Sequence, residues 1–156
     1  ALGEAHRAGL IHRDVKPANI LLCERGGRFD VAKVVDFGLV KSVGGTDPGV
    51  TQENTAPGTP HYMAPEALTS PDRVDARADV YSLGATFYTL AAGRWPYVGD
   101  DVLVARLERD PDDPRPFAPW LQEAEVAVLL HSVARHRPDR YQDGGELLGA
   151  LLSLEA

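Results

Sequence analysis

The chain has 156 residues, of which 44% are hydrophobic and 25% are charged, with 16 Lys and Arg residues against 23 Asp and Glu residues. This composition is typical of a globular domain with enough apolar residues to form a core, and it excludes a disordered or fibrous chain. The formal net charge of −7 argues against a nucleic-acid partner, which would require a clustered basic face.

The sequence also bears on the cellular compartment of the protein and on whether the chain is part of a longer one. The only cysteine, Cys23, excludes an internal disulfide and favours a reducing compartment, so we expect a cytoplasmic protein. The longest stretch without a charge, 80–93, is shorter than the ~20 residues that span a bilayer, so we expect no membrane segment in this chain. Because the sequence starts at Ala1, without Met and inside a helical pattern, we expect a piece of a longer protein. A membrane anchor outside the piece is compatible with this expectation.

The first half of the chain predicts one helix, two strands and a long loop. Helical spacing of Leu2, Ala5 and Ala8 indicates a helix that Gly9 ends. Two short apolar runs predict a β hairpin, and a stretch rich in Gly, Thr, Asp and Pro predicts a functional or disordered loop. The strands are expected over 20–23 and 31–35, with a turn over 24–28 and the loop over 41–60.

The second half is helical in pattern. The helices are predicted from 80 to Gly93, over 100–109, over 121–135 and from Asp143 onward. The first of these is apolar on all sides, which indicates a helix inside the fold. Asp143 with Glu146 three residues later resembles a capping box. The expected fold class is therefore α+β, with a short β hairpin and a mainly α-helical body.

Three polar side chains flank the predicted strands. Asp14 and Asn19 precede the first strand, and Asp36 follows the second. A hairpin would bring Asn19 and Asp36 to neighbouring strand ends, where their oxygens suit Mg²⁺. Lys16 is a cation that can meet a phosphate while Asp14 faces a hydroxyl. The pattern indicates a phosphoryl-transfer site, although Asp and Asn are also common turn-forming residues.

Three motifs carry a resemblance to a known family. They are His12-Arg13-Asp14 with Lys16 and Asn19, then Asp36-Phe37-Gly38, then Ala64-Pro65-Glu66. Their order and spacing resemble the catalytic loop, the metal-binding loop and the end of the activation segment of protein kinases. Lys16-Pro17 and the run from Gly58 to Met63 resemble the serine/threonine branch, and the Arg-rich composition hints at a bacterial type.

The resemblance implies a role for each matching residue. Asp14 would orient the substrate hydroxyl or accept its proton, Lys16 would steady the transferred phosphate, and Asn19 and Asp36 would hold Mg²⁺ with ATP. Thr59 would hydrogen-bond toward Asp14 and Lys16, and the run from Gly58 to Met63 would contact the substrate residue after the acceptor. Leu21 would pack under the adenine ring. His12 and Phe37 would be two members of the apolar stack that aligns the active state.

Structural and regulatory roles follow from the same resemblance. Asp79 would anchor the catalytic loop. A buried Glu66–Arg140 ion pair would tie the activation segment to the late helices. Removal of one partner of such a pair would lower the stability by about 3–5 kcal/mol. Arg13 before the catalytic Asp implies activation by phosphorylation in the loop. Thr55 is the first candidate and Thr51 the second, unless both are plain loop residues.

The resemblance also shows what this sequence lacks. Neither a glycine-rich loop nor a strand lysine for ATP precedes the catalytic loop. We therefore expect residues 1–156 to be the C-terminal lobe of a kinase domain, with an activation segment over 36–66, and the N-terminal lobe to be a missing partner. The expected substrate is a protein Ser or Thr hydroxyl. We expect the isolated chain to be inactive; the alternative is a truncated or pseudokinase-like interaction module without catalysis.

Overall fold

The computed structural model describes residues 1–37 and 61–154. In these ranges the α-helices and strands are α1 (Leu2–Arg7), β1 (Ile20–Arg25), β2 (Arg28–Val34), α2 (Pro65–Thr69), α3 (Ala76–Ala92), α4 (Val102–Glu108), α5 (Glu123–Ser132) and α6 (Gly144–Leu154). Short 3-10 turns are found at Pro17–Asn19, Pro71–Arg73 and Arg137–Asp139. The predicted architecture, a hairpin followed by a mainly helical body, is confirmed. Among the helices of these ranges, none is long and apolar enough to cross a bilayer.

The hairpin is antiparallel, with Ile20 opposite Val34. Gly26 and Gly27 form its turn with φ values of 59° and 75°, in the left-handed region that glycine adopts without a steric penalty. Because two glycines suffice to reverse the chain, the turn is shorter than the predicted 24–28. Both strands are correspondingly longer than predicted, and β2 begins at Arg28.

Helix α3 runs through the centre of the helical body. Asp75 caps its start by accepting a hydrogen bond from the Arg77 backbone N–H at 3.0 Å, and Gly93 ends it with a φ of 67°. Val80, Tyr81 and most of their neighbours in the helix are buried. The expectation of a helix buried on all sides is therefore confirmed for most of its length.

Helices α5 and α6 pack against α3 through apolar side chains. Val80, Val128 and Leu147, one from each helix, form a buried cluster. The approach of α3 to α5 is close at Gly84, where a Cβ atom would lie 2.5 Å from the Ser132 Cβ. Glycine is therefore the residue that allows this helix pair to pack at its present distance.

Two helix starts differ from their predicted positions. Helix α4 begins at Val102 because the Asp101 carboxylate accepts from the Val104 N–H at 3.0 Å, which makes Asp101 the cap. Helix α5 begins at Glu123, since the Glu125 carboxylate accepts from the Gln122 N–H at 2.7 Å and so fixes the first turn. The predicted starts at 100 and 121 are therefore early by two residues.

The structure contains the predicted cap of α6 at Asp143 but not the predicted reciprocal bond from Glu146. The Asp143 carboxylate accepts from the backbone N–H groups of Gly145 and Glu146, at 2.7 and 3.0 Å. The Glu146 carboxylate, however, accepts from the N–H of Gln142 at 2.6 Å and not from that of Asp143. The predicted reciprocal bond of the capping box is wrong by one residue, because the long Glu146 side chain reaches past the cap.

Candidate active site

The loop between α1 and β1 is anchored to α3 by the buried carboxylate of Asp79. This carboxylate accepts hydrogen bonds from the backbone N–H groups of His12 and Arg13, at 2.7 and 2.8 Å. Arg13 has a φ of 68°, a left-handed conformation that costs a non-glycine residue about 1–2 kcal/mol. The two charge-assisted hydrogen bonds offset this cost and hold the loop in its strained shape.

His6 of α1 completes the anchor, and the sequence analysis gives it no role. Its Nε2 donates to the Asp79 carboxylate at 2.9 Å, and its Nδ1 accepts from the Gly144 N–H at the start of α6, at 3.0 Å. The Gly144 bond requires Nδ1 to be unprotonated, so the proton is on Nε2. The one sequence signal for an inward orientation is the spacing of His6 from Leu2, which is four residues earlier on the helix and buried.

The predicted catalytic side chains meet at one point of this loop. Lys16 Nζ donates to both carboxylate oxygens of Asp14, at 3.1 and 2.9 Å. Asn19 Nδ2 donates to the Asp14 backbone oxygen at 2.8 Å and to its carboxylate at 3.0 Å. The Asp14 and Lys16 side chains are 53% and 40% exposed, so the group opens to solvent. A carboxylate and an ammonium group thus meet at an accessible surface, with the buried amide of Asn19 beneath them.

The segment after β2 lies against the same loop. The Val35 N–H donates to the Asn19 backbone oxygen at 2.9 Å, and His12 Nε2 donates to the Val35 oxygen at 2.9 Å. The Phe37 ring lies 4.5 Å from the His12 ring, centroid to centroid. Asp36, between the two anchored residues, is exposed and has a φ of 57°. The chain fold therefore brings Asp36 close to Asn19, as the sequence predicts.

The described residues contain few side chains that could bind a metal ion together. Within residues 1–37 and 61–154 no group of three or more His, Cys, Asp or Glu side chains is arranged to hold a metal ion. The expected ligand pair, the Asn19 amide and the Asp36 carboxylate, is smaller than such a group. Leu21, expected near the adenine, is on β1 and 47% exposed.

Several predicted residues fall outside the described ranges. These are Gly38, Thr51, Thr55, Gly58 and Thr59. The residues just after them, which the sequence analysis places beside the substrate, are described from His61 onward. Arg13, the expected partner of a loop phosphate, has an exposed side chain.

The segment from His61 to Glu66 is held by two buried arginines. Arg140 donates to both oxygens of the Glu66 carboxylate, at 2.7 and 3.0 Å, so the structure brings together the two residues predicted to pair. Arg106 of α4 donates to the backbone oxygens of Met63 and His61, at 2.5 and 2.9 Å. This role of Arg106 is not predictable from the sequence, because an arginine in an amphipathic helix ordinarily faces solvent.

The Tyr81 ring of α3 lies between these two arginines. The guanidinium carbon of Arg140 is 4.8 Å from the ring centroid and that of Arg106 is 5.9 Å away, both within cation–π range. Burial raises the pKa of the Tyr81 hydroxyl. Two residues of one helix, Asp79 and Tyr81, therefore fix the catalytic loop and the segment beside it.

Comparison with known proteins decides the family. A sequence model described as the protein kinase domain matches residues 1–115. The chain belongs to the protein kinase family. The serine/threonine-protein kinase PknB of Mycolicibacterium smegmatis is 37% identical over 157 residues, which cover 97% of this chain and 24% of that protein. A PknB of Mycobacterium tuberculosis is 37% identical over 155 residues, with coverage of 97% and 24%.

A third relative gives the same result. A probable serine/threonine-protein kinase of Streptomyces coelicolor is 36% identical over 150 residues, which cover 94% of this chain and 22% of that protein. The kinase chain described here thus spans about a quarter of the length of the curated relatives it matches. The resemblance to bacterial serine/threonine kinases that the motifs carry is confirmed.

Proposed function

We propose that residues 1–156 are the C-terminal lobe of a serine/threonine protein kinase domain, with the activation segment over 36–66. The complete enzyme transfers the γ-phosphate of ATP to a Ser or Thr hydroxyl of a protein. The observation that carries this proposal is the convergence of Asp14, Lys16 and Asn19, with contacts of 2.8–3.1 Å, on the accessible side of an anchored loop.

Asp14 is the proposed base. Its carboxylate is held by Lys16 and Asn19 and is half exposed, so it can receive a substrate hydroxyl at hydrogen-bond distance. As the hydroxyl oxygen bonds to phosphorus and the bond to the leaving nucleotide breaks, the hydroxyl proton passes to Asp14. Lys16 lies at Asp14, and its ammonium group would balance the charge of the transferred phosphate.

Asn19 and Asp36 are the proposed ligands of Mg²⁺, which neutralises phosphate charge when bound with ATP. The donor chemistry fits this role. Asn19 uses its Nδ2 atom on Asp14, which leaves its amide oxygen for a cation. Asp36 contributes an exposed carboxylate from the neighbouring segment. Leu21 is the proposed contact under the adenine ring, since it is partly exposed on β1.

Regulation and location are part of the same proposal. Phosphate on Thr55, or on Thr51, would pair with the exposed guanidinium group of Arg13, which directly precedes Asp14. Thr59 would hydrogen-bond toward Asp14 and Lys16. We propose a cytoplasmic location because the only cysteine of these 156 residues, Cys23, is unpaired.

The test is a phosphotransfer assay on the complete protein that contains this chain, with Mg-ATP and a generic basic protein as substrate. We expect Asp14→Asn to lower kcat by at least about 100-fold, because the substituted amide cannot accept the proton. Asp72→Asn, which changes an exposed carboxylate on the 3-10 turn Pro71–Arg73, is the matched control and is expected to leave kcat unchanged. Absence of phosphotransfer by the unmodified protein would favour a kinase-like interaction module instead.

A further inference from the structure

A groove of about 540 Å³ lies outside the catalytic loop. It is lined by His61, at the start of the segment that Arg106 holds, and by the connection between α3 and α4 with the first turn of α4. Trp95, Val98, Asp100 and Leu103 are among these lining residues. None of Asp14, Lys16, Asn19 and Asp36 lines the groove, so it is a separate feature of the surface.

The floor of the groove is aromatic and apolar. The rings of His61 and Trp95 are nearly parallel, at 8°, with centroids 3.5 Å apart. Trp95, Val98 and Leu103 remain 37–42% exposed, which is a large apolar surface to leave in contact with water. Burial, and next the charge of Arg106, lower the pKa of His61.

The rim of the groove is acidic. Asp100 and Asp101 both line it and are exposed, and no Lys or Arg is among the lining residues. Asp101 uses one carboxylate oxygen on the Val104 N–H. In the part of the chain that the structure describes, Asp100 has no hydrogen-bond or ion-pair partner. The groove therefore combines a partly exposed indole, that of Trp95, with a carboxylate that is free to bind a cation.

We propose that this groove binds an arginine side chain of the protein substrate, in the stretch that flanks the phosphorylated residue. The inference rests on the proposed kinase function. A guanidinium group can stack on the Trp95 indole and donate two hydrogen bonds to a carboxylate, and the arginine stem covers apolar surface such as Leu103. A lysine ammonium group can pair with Asp100 but lacks the planar fork and the stacking face.

The location supports a substrate as the occupant. His61 belongs to the run from Gly58 to Met63, which the resemblance to kinases places against the substrate residue after the acceptor. A substrate chain that leaves the acceptor site along this segment reaches the groove next. Charge complementarity selects the ligand, because a groove lined by two aspartates and by no Lys or Arg, on a chain of net charge −7, attracts a cation.

The test measures binding of labelled peptides to the complete protein by fluorescence anisotropy. Each peptide contains one Ser acceptor and one Arg, placed at each flanking position in turn, with Ala and Lys versions as references. We expect one position at which Arg binds more tightly than both Ala and Lys. The double variant Asp100→Asn, Asp101→Asn is expected to weaken that peptide about tenfold and to leave the Ala peptide unchanged. Asn at position 101 keeps the helix cap, so the fold is retained.

Two further variants make the test specific. Asp72→Asn removes an exposed carboxylate outside the groove and is expected to change nothing. Trp95→Leu is expected to abolish the advantage of Arg over Lys while a preference for either cation over Ala remains. Equal binding of Arg and Ala peptides at every position, a preference for an aromatic residue instead, or an Arg preference that survives the double variant would overturn the proposal.

The same peptides separate this proposal from the kinase function on which it rests. Phosphorylation without any arginine preference would overturn the groove proposal alone. Arginine-dependent binding that the double variant weakens, without phosphorylation of any peptide, would overturn the proposed kinase function and leave the arginine site in place.

Discussion

Replacement of Arg140 by Met is expected to destabilise the protein by about 3–5 kcal/mol, because it leaves a buried carboxylate without its counter-ion. The Arg140 side chain is fully buried, and that of its partner Glu66 is 10% exposed. Beyond its two bonds to Glu66, Arg140 donates to the backbone oxygens of Ala134 and Arg135, at 2.6 and 2.9 Å. Methionine fills much of the volume but satisfies none of these acceptors.

The measurement is the thermal unfolding temperature of the complete protein. For a domain of this size each kcal/mol corresponds to about 2–4 °C, so we expect a decrease of roughly 6–20 °C. The matched control is Arg115→Met, which removes a guanidinium group that also donates to both oxygens of a carboxylate, that of Asp113, where the two side chains are 59% and 41% exposed. The control is expected to leave the unfolding temperature unchanged, because water solvates both charges after the loss.

The double variant Glu66→Gln, Arg140→Met tests the physical reason. If the loss comes from an uncompensated buried charge, neutralising Glu66 in the Arg140→Met background is expected to recover part of the stability. An Arg140→Met variant that unfolds within about 2 °C of the unmodified protein would refute the reasoning. A double variant that is less stable than Arg140→Met would refute it as well.

Three other predictions follow from the structure. Gly84→Ala is expected to cost about 1–3 kcal/mol by forcing α3 away from Ser132, which thermal unfolding would detect against Gly149→Ala, a position with open space. Hydrogen bonds from Arg77 lower the pKa of the Asp75 carboxyl group. The contribution of the Asp75 carboxylate to stability is therefore complete above its ordinary pKa of 3.8 and is lost as the pH falls through the lowered value. Relative to Asp75→Asn, the unmodified protein is expected to lose stability only below about pH 4. The isolated 156-residue chain is expected to transfer no phosphate from Mg-ATP, because its sequence contains no glycine-rich loop or strand lysine before Asp14; transfer that Asp14→Asn abolishes would contradict this.

The sequence predicts features that depend on neighbouring residues. The cap at Asp143, the glycine that ends α3 and the hairpin with its glycine turn follow from local rules, and the structure contains all of them. The juxtaposition of Asn19 and Asp36 is also predictable, because a hairpin of two consecutive strands leaves its outer ends side by side. Helix starts are less accurate, as at Asp101 and Gln122, since several adjacent polar residues can each act as the cap.

The contributions of His6 and Arg106 depend on contacts distant in sequence. His6 meets Asp79 after 73 residues, and Arg106 meets the His61 oxygen after 45. Neither residue has a local pattern that distinguishes it from a surface residue on an amphipathic helix. Only the packing of α1 and α4 against the core determines that these polar side chains are buried and therefore need partners.

Helix α3 lacks a polar face because other elements of the fold contact it on several sides. Asp79 holds the catalytic loop, and Tyr81, two residues later and about 200° around the helix axis, faces the arginines that hold the segment from His61 to Glu66. Val80 and Gly84, about 40° apart around the helix axis, meet α5 and α6 on a third side. Because the two parts of the proposed site are fixed to one helix within a single turn, their spacing is set by the rigid geometry of α3 and not by the loops between them. A change in α3 packing is therefore expected to alter the position of Asp14 and the groove at His61 together.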